Sequence, residues 1–142
     1  MTVTDDSIYR SRLHPIHAVF LSGTIPLFLG SVLADYAYFS SYQIQWSDFA
    51  SWLTAGGLVF GGFALIWSIV SLIAADRRTT HAFLYTFFLL ATWVIGFINS
   101  LTHAKDAWAV MPMGLVLSVI VFVLACIATC IGLARFGEGD AR

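Results

Sequence analysis

Four histidines and one aspartate, set among apolar residues, are the side chains in this sequence best suited to chemistry. His14 and His17 bracket Pro15-Ile16 at the start of one apolar stretch. His81 begins another, and His103 lies at that stretch's far end. Imidazole ligates haem iron and metals, and it carries a proton near neutral pH. If His17 and His81 open parallel helices at similar depth, their ring nitrogens can approach a planar ligand from opposite sides. That is the arrangement of a bis-histidine b-type haem, with His14 as a neighbouring cofactor-binding candidate. A bare metal ion between His14, His17 and His81 would use the same residues. The plainer use of each histidine is to anchor a helix end among lipid headgroups.

Asp35 lies about 27 Å along a helix axis from His17, too far for one shared site. A carboxylate just inside an apolar span can serve a proton or cation path, or hold a partner such as His103 or Asn99. A path between His17 and Asp35 would have to run through Thr24, Ser31, Thr92 and Asn99. The plainer reading of Asp35 is a helix-end carboxylate in contact with water.

Several chemistries are absent from the sequence. It has no His-Glu-x-x-His, no phosphate-cradling glycine loop and no Gly-x-Ser-x-Gly elbow, so an enzyme acting by itself is not indicated. Cys126 and Cys130 stand one helical turn apart in an apolar run, as small packing residues. A net charge of −1 provides no basic field for nucleic acid.

The elements that must position these residues are membrane helices. Of 142 residues, 59% are hydrophobic and only 11% charged, too few to solvate a soluble surface. About 20 apolar residues cross a bilayer core, and four stretches meet that length: 16–39, 49–75, 81–101 and 109–134. The expected fold is therefore all-α, a single-domain four-helix up-down bundle. Ser47-Asp48 and Thr79-Thr80 offer N-caps for the second and third spans. Tyr36, Tyr38, Tyr42, Trp46, Trp52 and Trp108 fall near span ends, as an interfacial aromatic belt does. Arg10, Arg12, Arg77, Arg78, Arg135 and Arg142 lie on one side of the membrane and Lys105 on the other, which predicts cytoplasmic termini in a bacterial inner membrane. A signal peptide cleaved after Val32-Leu33-Ala34 is the rival for the first span. Its apolar run is longer than a signal core, so retention is expected.

Helical periodicity separates two kinds of span. Span one aligns His17, Thr24, Phe28, Ser31 and Asp35. Span three aligns His81, Tyr85, Phe88, Thr92, Asn99 and His103. Span two instead presents Thr54, Gly57, Gly61, Ala64, Ser68 and Ser71, and span four Gly114, Ser118, Ala125, Thr129 and Gly132. Small faces permit close backbone approach. The pattern predicts that spans one and three oppose their polar stripes across the middle while two and four close the sides.

The His14-Pro15-Ile16-His17 opening, the apolar helix ending in Asp35 and the start of span three at His81 resemble a family of small bacterial predicted membrane proteins, domain of unknown function 2231. The resemblance covers nearly the whole chain. Family members often carry a second proline after the second histidine, where this chain has Ala18, and a Gly-Gly pair near the end, where it reads Cys130-Ile131-Gly132. Related domains occur beside membrane-bound sugar dehydrogenases and cytochromes, which implies electron transfer by association. The leading expectation is thus a redox module binding haem b through His17 and His81 and serving a dehydrogenase or the quinone pool. A non-catalytic anchor or assembly subunit, within a membrane complex or a homo-oligomer, is second. A proton or cation pathway is third.

Overall fold

The computed structural model describes residues 14–74 and 79–137, and for 135–137 the backbone alone. It is all-α: α1 (Pro15–Ser41), α2 (Ile44–Ala74), α3 (Thr80–His103), the short α4 (Ala107–Val110) and α5 (Met113–Gly137). Four of these are long and apolar enough to cross a membrane, the fourth over Met113–Ala134. Arg10, Arg12, Arg77, Arg78 and Arg142, and the side chain of Arg135, on which the orientation rests, lie outside the described residues, as does Ala75 at the expected end of span two.

Local chemistry sets most of the boundaries. Pro15 stands in the first turn of α1, where its missing N–H costs nothing. The helix ends at Tyr42, which adopts the left-handed conformation (φ 53°) and returns its N–H to the carbonyl of Tyr38 at 2.7 Å. Only Tyr42 and Gln43 separate α1 from α2. The expected cap at Ser47-Asp48 is displaced, because α2 begins at Ile44 and takes both residues into its first turns. Thr79 does cap α3, its Oγ1 accepting from the Ala82 N–H at 3.3 Å. The fourth span is shorter than expected. Residues 107–110 form a separate helical turn, and the cis Met111-Pro112 bond precedes α5.

Side-chain contacts fix an up-down arrangement. The start of α1 meets the end of α2 and the start of α3, through His17 with Trp67 and Tyr85. Its end meets the end of α3 and the α4 turn, through Asp35 with His103 and Tyr38 with Ala107. α1 packs along α2 and α5, α3 packs along the same two helices, and α1 and α3 stand diagonally opposite. The small faces of α2 and α5 therefore line the sides, as their periodicity predicts. At Gly57, a Cβ would come within 2.5 Å of the Phe28 ring, so this helix pair depends on glycine.

The interior is layered. Leu21, Ala64, Leu65, Tyr85, Leu89 and Ala128 form one buried cluster, and Phe28, Val121 and Ala125 the next. Outside, Leu33, Ile66, Phe87 and Val123 are exposed, as lipid-facing positions require. In the expected aromatic belt, Trp52 and Trp108 are the most exposed. Tyr38 departs from it, because it is buried and donates its hydroxyl to the Ala107 carbonyl at 2.9 Å.

Candidate functional site: a buried carboxylate-imidazole network

Asp35 is 0% exposed, on the inward face of α1 one turn beyond Ser31. It is not the water-contacting helix-end carboxylate of the plainer expectation. Its Oδ1 lies 2.8 Å from Nε2 of His103, across the bundle on α3, and both side chains are fully enclosed. Its Oδ2 accepts a hydrogen bond from Ser118 Oγ on α5. Ser118 in turn accepts from Asn99 Nδ2 at 2.8 Å. Ser31 Oγ sits 3.4 Å from Ser118 Oγ, 2.7 Å from Thr54 Oγ1 on α2 and 3.3 Å from the Ala50 carbonyl oxygen. All four long helices thus contribute a polar group to one interior cluster.

The hydrogen bonds constrain where protons sit. His103 Nδ1 lies 2.9 Å from the carbonyl oxygen of Asn99, which can only accept, so Nδ1 carries a proton. One further proton lies between Nε2 and Asp35. Whether it rests on nitrogen or oxygen, the pair as a whole is neutral. Losing that proton would leave one uncompensated charge inside the bundle, where an isolated ion is costly. The arrangement can therefore hold one proton in an apolar surround, at the apposed ends of α1 and α3.

Glycine makes room for the imidazole. A Cβ on Gly114 would stand 3.3 Å from Cε1 of His103 and 2.6 Å from Val110. Beside the pair, a cavity of about 290 Å³ opens between α2 and α3, lined by Ser51, Trp52, Ala55, Ser100, His103 and Ala104.

The other expected path residues part company with this cluster. Thr24 and Thr92 are buried, but their hydroxyls bond back to their own helices, at Leu21 and Phe88. Phe28, Leu89 and Val121 fill the interior instead, so the polar stripe drawn from His17 to Asp35 is interrupted by apolar packing. Ser118 and Thr54 belong to the site although helix periodicity assigned them only to small packing faces. Their signal was available: each is a hydroxyl in an apolar run on a face turned toward the bundle.

At the opposite end, His17 is 3% exposed and its Nε2 meets the Tyr85 hydroxyl at 2.9 Å. The Trp67 ring stacks 6.1 Å from it and lies tilted 4.8 Å from the exposed His14. A Cβ on Gly132 would come within 2.9 Å of the Tyr85 ring, so α5 yields to Tyr85 as it does to His103. His81 is exposed. Haem ligation by His17 and His81 would require His17 to exchange its Tyr85 contact for the iron and the exposed His81 to turn toward it. Among the described residues no three His, Cys, Asp or Glu side chains gather to hold a metal, so His14, His17 and His81 do not form such a group.

A family model described as "Predicted membrane protein (DUF2231)" matches residues 13–135. No curated protein matches the chain. No solved structure matches it either.

Proposed function

We propose a proton-handling role, on the premise that this chain belongs to the family of predicted membrane proteins designated DUF2231. It is a multi-pass protein of the bacterial inner membrane. In that setting the carrying observation is a wholly buried carboxylate bonded to an imidazole from the diagonally opposite helix. Packing alone does not account for such a pair, since apolar residues of similar volume stabilise an interior at least as well. Ionisable residues inside membrane bundles mark sites where protons or ions are bound and moved. Asp35 and His103 hold the proton, Ser118 and Asn99 orient the carboxylate, and Ser31 with Thr54 extends the hydroxyl cluster toward α2. With the termini cytoplasmic, as the arginine distribution predicts, this site lies in the outer half of the membrane.

The apolar layer between the two ends favours a gated site over an open pore. Proteoliposomes carrying the protein and a trapped pH indicator test the reading. A pH gradient should drive proton movement above that of empty vesicles, and Asp35→Asn should abolish it. Flux equal to that of empty vesicles, together with an infrared spectrum lacking any titrating carboxyl band, would sink the proposal.

A membrane-assembly role is the second reading. It is favoured by an apolar groove of about 460 Å³ along α2 and α3, lined by Leu58, Val59, Gly62, Phe63, Trp93 and Phe97 among others. Stoichiometric co-purification with another membrane protein, lost on Gly62→Phe, would support it. A lone monomer in mild detergent would count against it.

A further inference from the structure

The Asp35 and His103 side chains are enclosed, so a proton exchanging between them and water needs a way in. The direct way, through the helix ends, is filled. Tyr38 stands three residues beyond Asp35 on α1, buried, and its hydroxyl is tied to the Ala107 carbonyl across this end. Val110 closes the same α4 turn, also buried, and shares with the His103 ring the space that Gly114 leaves open. Toward the other end of the bundle, Phe28, Leu89 and Val121 form the apolar layer.

The flank between α2 and α3 is different. His103 belongs both to the proton pair and to the wall of the cavity of about 290 Å³ there. Four other lining residues, Ser51, Ala55, Ser100 and Ala104, are small. One water needs about 15 Å³ of such space, so the cavity has room for several. Apolar voids stay dry, but two serine hydroxyls make this one wettable. Ser51 gives its hydrogen to the Asp48 carbonyl at 2.7 Å, which leaves its oxygen to accept from water. The cavity also lies at a depth where water is at hand. Ala104 caps the end of α3 and is followed by the exposed Lys105 and Asp106, while the exposed Asp48 stands one turn before Ser51. Charged side chains of a membrane protein sit at the interface and not in hydrocarbon. Trp52, the remaining lining residue, is exposed and of the type that settles at headgroup level.

We propose that the α2–α3 cavity is the aqueous port of the Asp35–His103 pair, with His103 the gate between the two. The inference rests on the proton reading above and supplies its entrance. The imidazole is enclosed at rest, so each exchange takes a swing of that ring, for which the small side chains of Ser51, Ala55, Ser100 and Ala104 leave room. One proton passes to a cavity water, which becomes hydronium. Asp35 is left as a carboxylate beside a neutral imidazole, and the return of a proton reverses the step.

The experiment uses the full chain in lipid nanodiscs, with Cys126→Ala and Cys130→Ala as background. Ser51→Cys and Ser100→Cys should react with a water-soluble, membrane-impermeant maleimide, whereas the lipid-facing Val123→Cys should not. After a rapid pH step, the infrared carboxyl band of Asp35 should follow promptly in unlabelled protein. Once Ser100→Cys is labelled it should lag about tenfold or more, because the adduct fills the port. The final amplitude should not change, since His103 and Ser118 hold the carboxylate. Ala55→Leu narrows the port without a label and should lag in the same way, which serves if Ser100→Cys does not fold. Cysteines at both positions that resist the reagent overturn the port. So does a band that titrates as fast in the labelled protein and in Ala55→Leu as in the unmodified chain, and the proton reading then stands without it. A chain with no titrating carboxyl band at all removes both.

Discussion

The Nε2 nitrogen of His17 meets the Tyr85 hydroxyl at 2.9 Å, one helical turn past His81 on the same helix. The residue that faces His17 from α3 is thus a tyrosine, and the histidine expected to share its ligand is turned outward. Purified protein supplied with haem tests the haem reading directly: a Soret band lost in both His17→Ala and His81→Ala would assign the two as its ligands, and no band at all would remove it. Tyr85→Phe, which removes only the hydroxyl, should destabilise the fold by about 0.5–1.5 kcal/mol, read as a lower thermal midpoint.

Asp35 and His103 should behave as one unit. Truncating either to Ala leaves its partner ionisable and enclosed, at a cost of about 3–5 kcal/mol. The double Asp35→Leu/His103→Leu variant should recover much of that stability, because an apolar pair removes both desolvated groups together. Unfolding of the two single variants and the double checks the coupling. A double-variant loss equal to the sum of the singles would show the two residues to be independent.

The glycines of α2 should differ sharply despite their regular spacing. At Gly57 a new methyl would fall 2.5 Å from Phe28, so Gly57→Ala should cost about 1–3 kcal/mol. At Gly61 the nearest neighbouring atom is Thr24 Cγ2 at 3.7 Å, ordinary contact distance, and Gly61→Ala should be tolerated. Thermal midpoints of the two variants in one detergent give the comparison.

Helix starts make a fourth contrast. Thr79→Ala removes the side-chain bond to the Ala82 amide and should cost about 1 kcal/mol. Asp48→Ala should change stability little, because α2 already runs from Ile44 and the exposed Asp48 caps nothing. Equal losses in both variants would contradict this placement of the α2 start.

Much of the fold was legible in the sequence, because lipid solvation forces a coarse, strong signal: apolar runs of bilayer length separated by short polar breaks. The diagonal placement of α1 and α3 followed from their polar stripes. Helix ends were harder to read. Ile44 begins α2 because the left-handed Tyr42 turns the chain within two residues, and no composition rule marks a tyrosine for that role. At the site, Asp35 and His103 were each singled out, yet their enclosure depends on how α2 and α5 close around them. Thr24 and Thr92 share a stripe with true site residues, but a threonine hydroxyl can satisfy itself on the preceding turn of its own helix. Periodicity reports which face a residue occupies. It does not report which way a hydroxyl points.

The apolar layer formed by Phe28, Leu89 and Val121 also bears on voltage. A membrane potential falls across material that excludes water and ions, and this layer lies between Asp35 and the His17 end. A charge reaching Asp35 from its own end of the bundle does not cross the layer. The same charge arriving from the His17 end must cross it, within a total of about 2.3 kcal/mol per 100 mV for the whole membrane. An energised membrane would therefore make the two directions of approach unequal, and the packing of three apolar side chains would set the asymmetry.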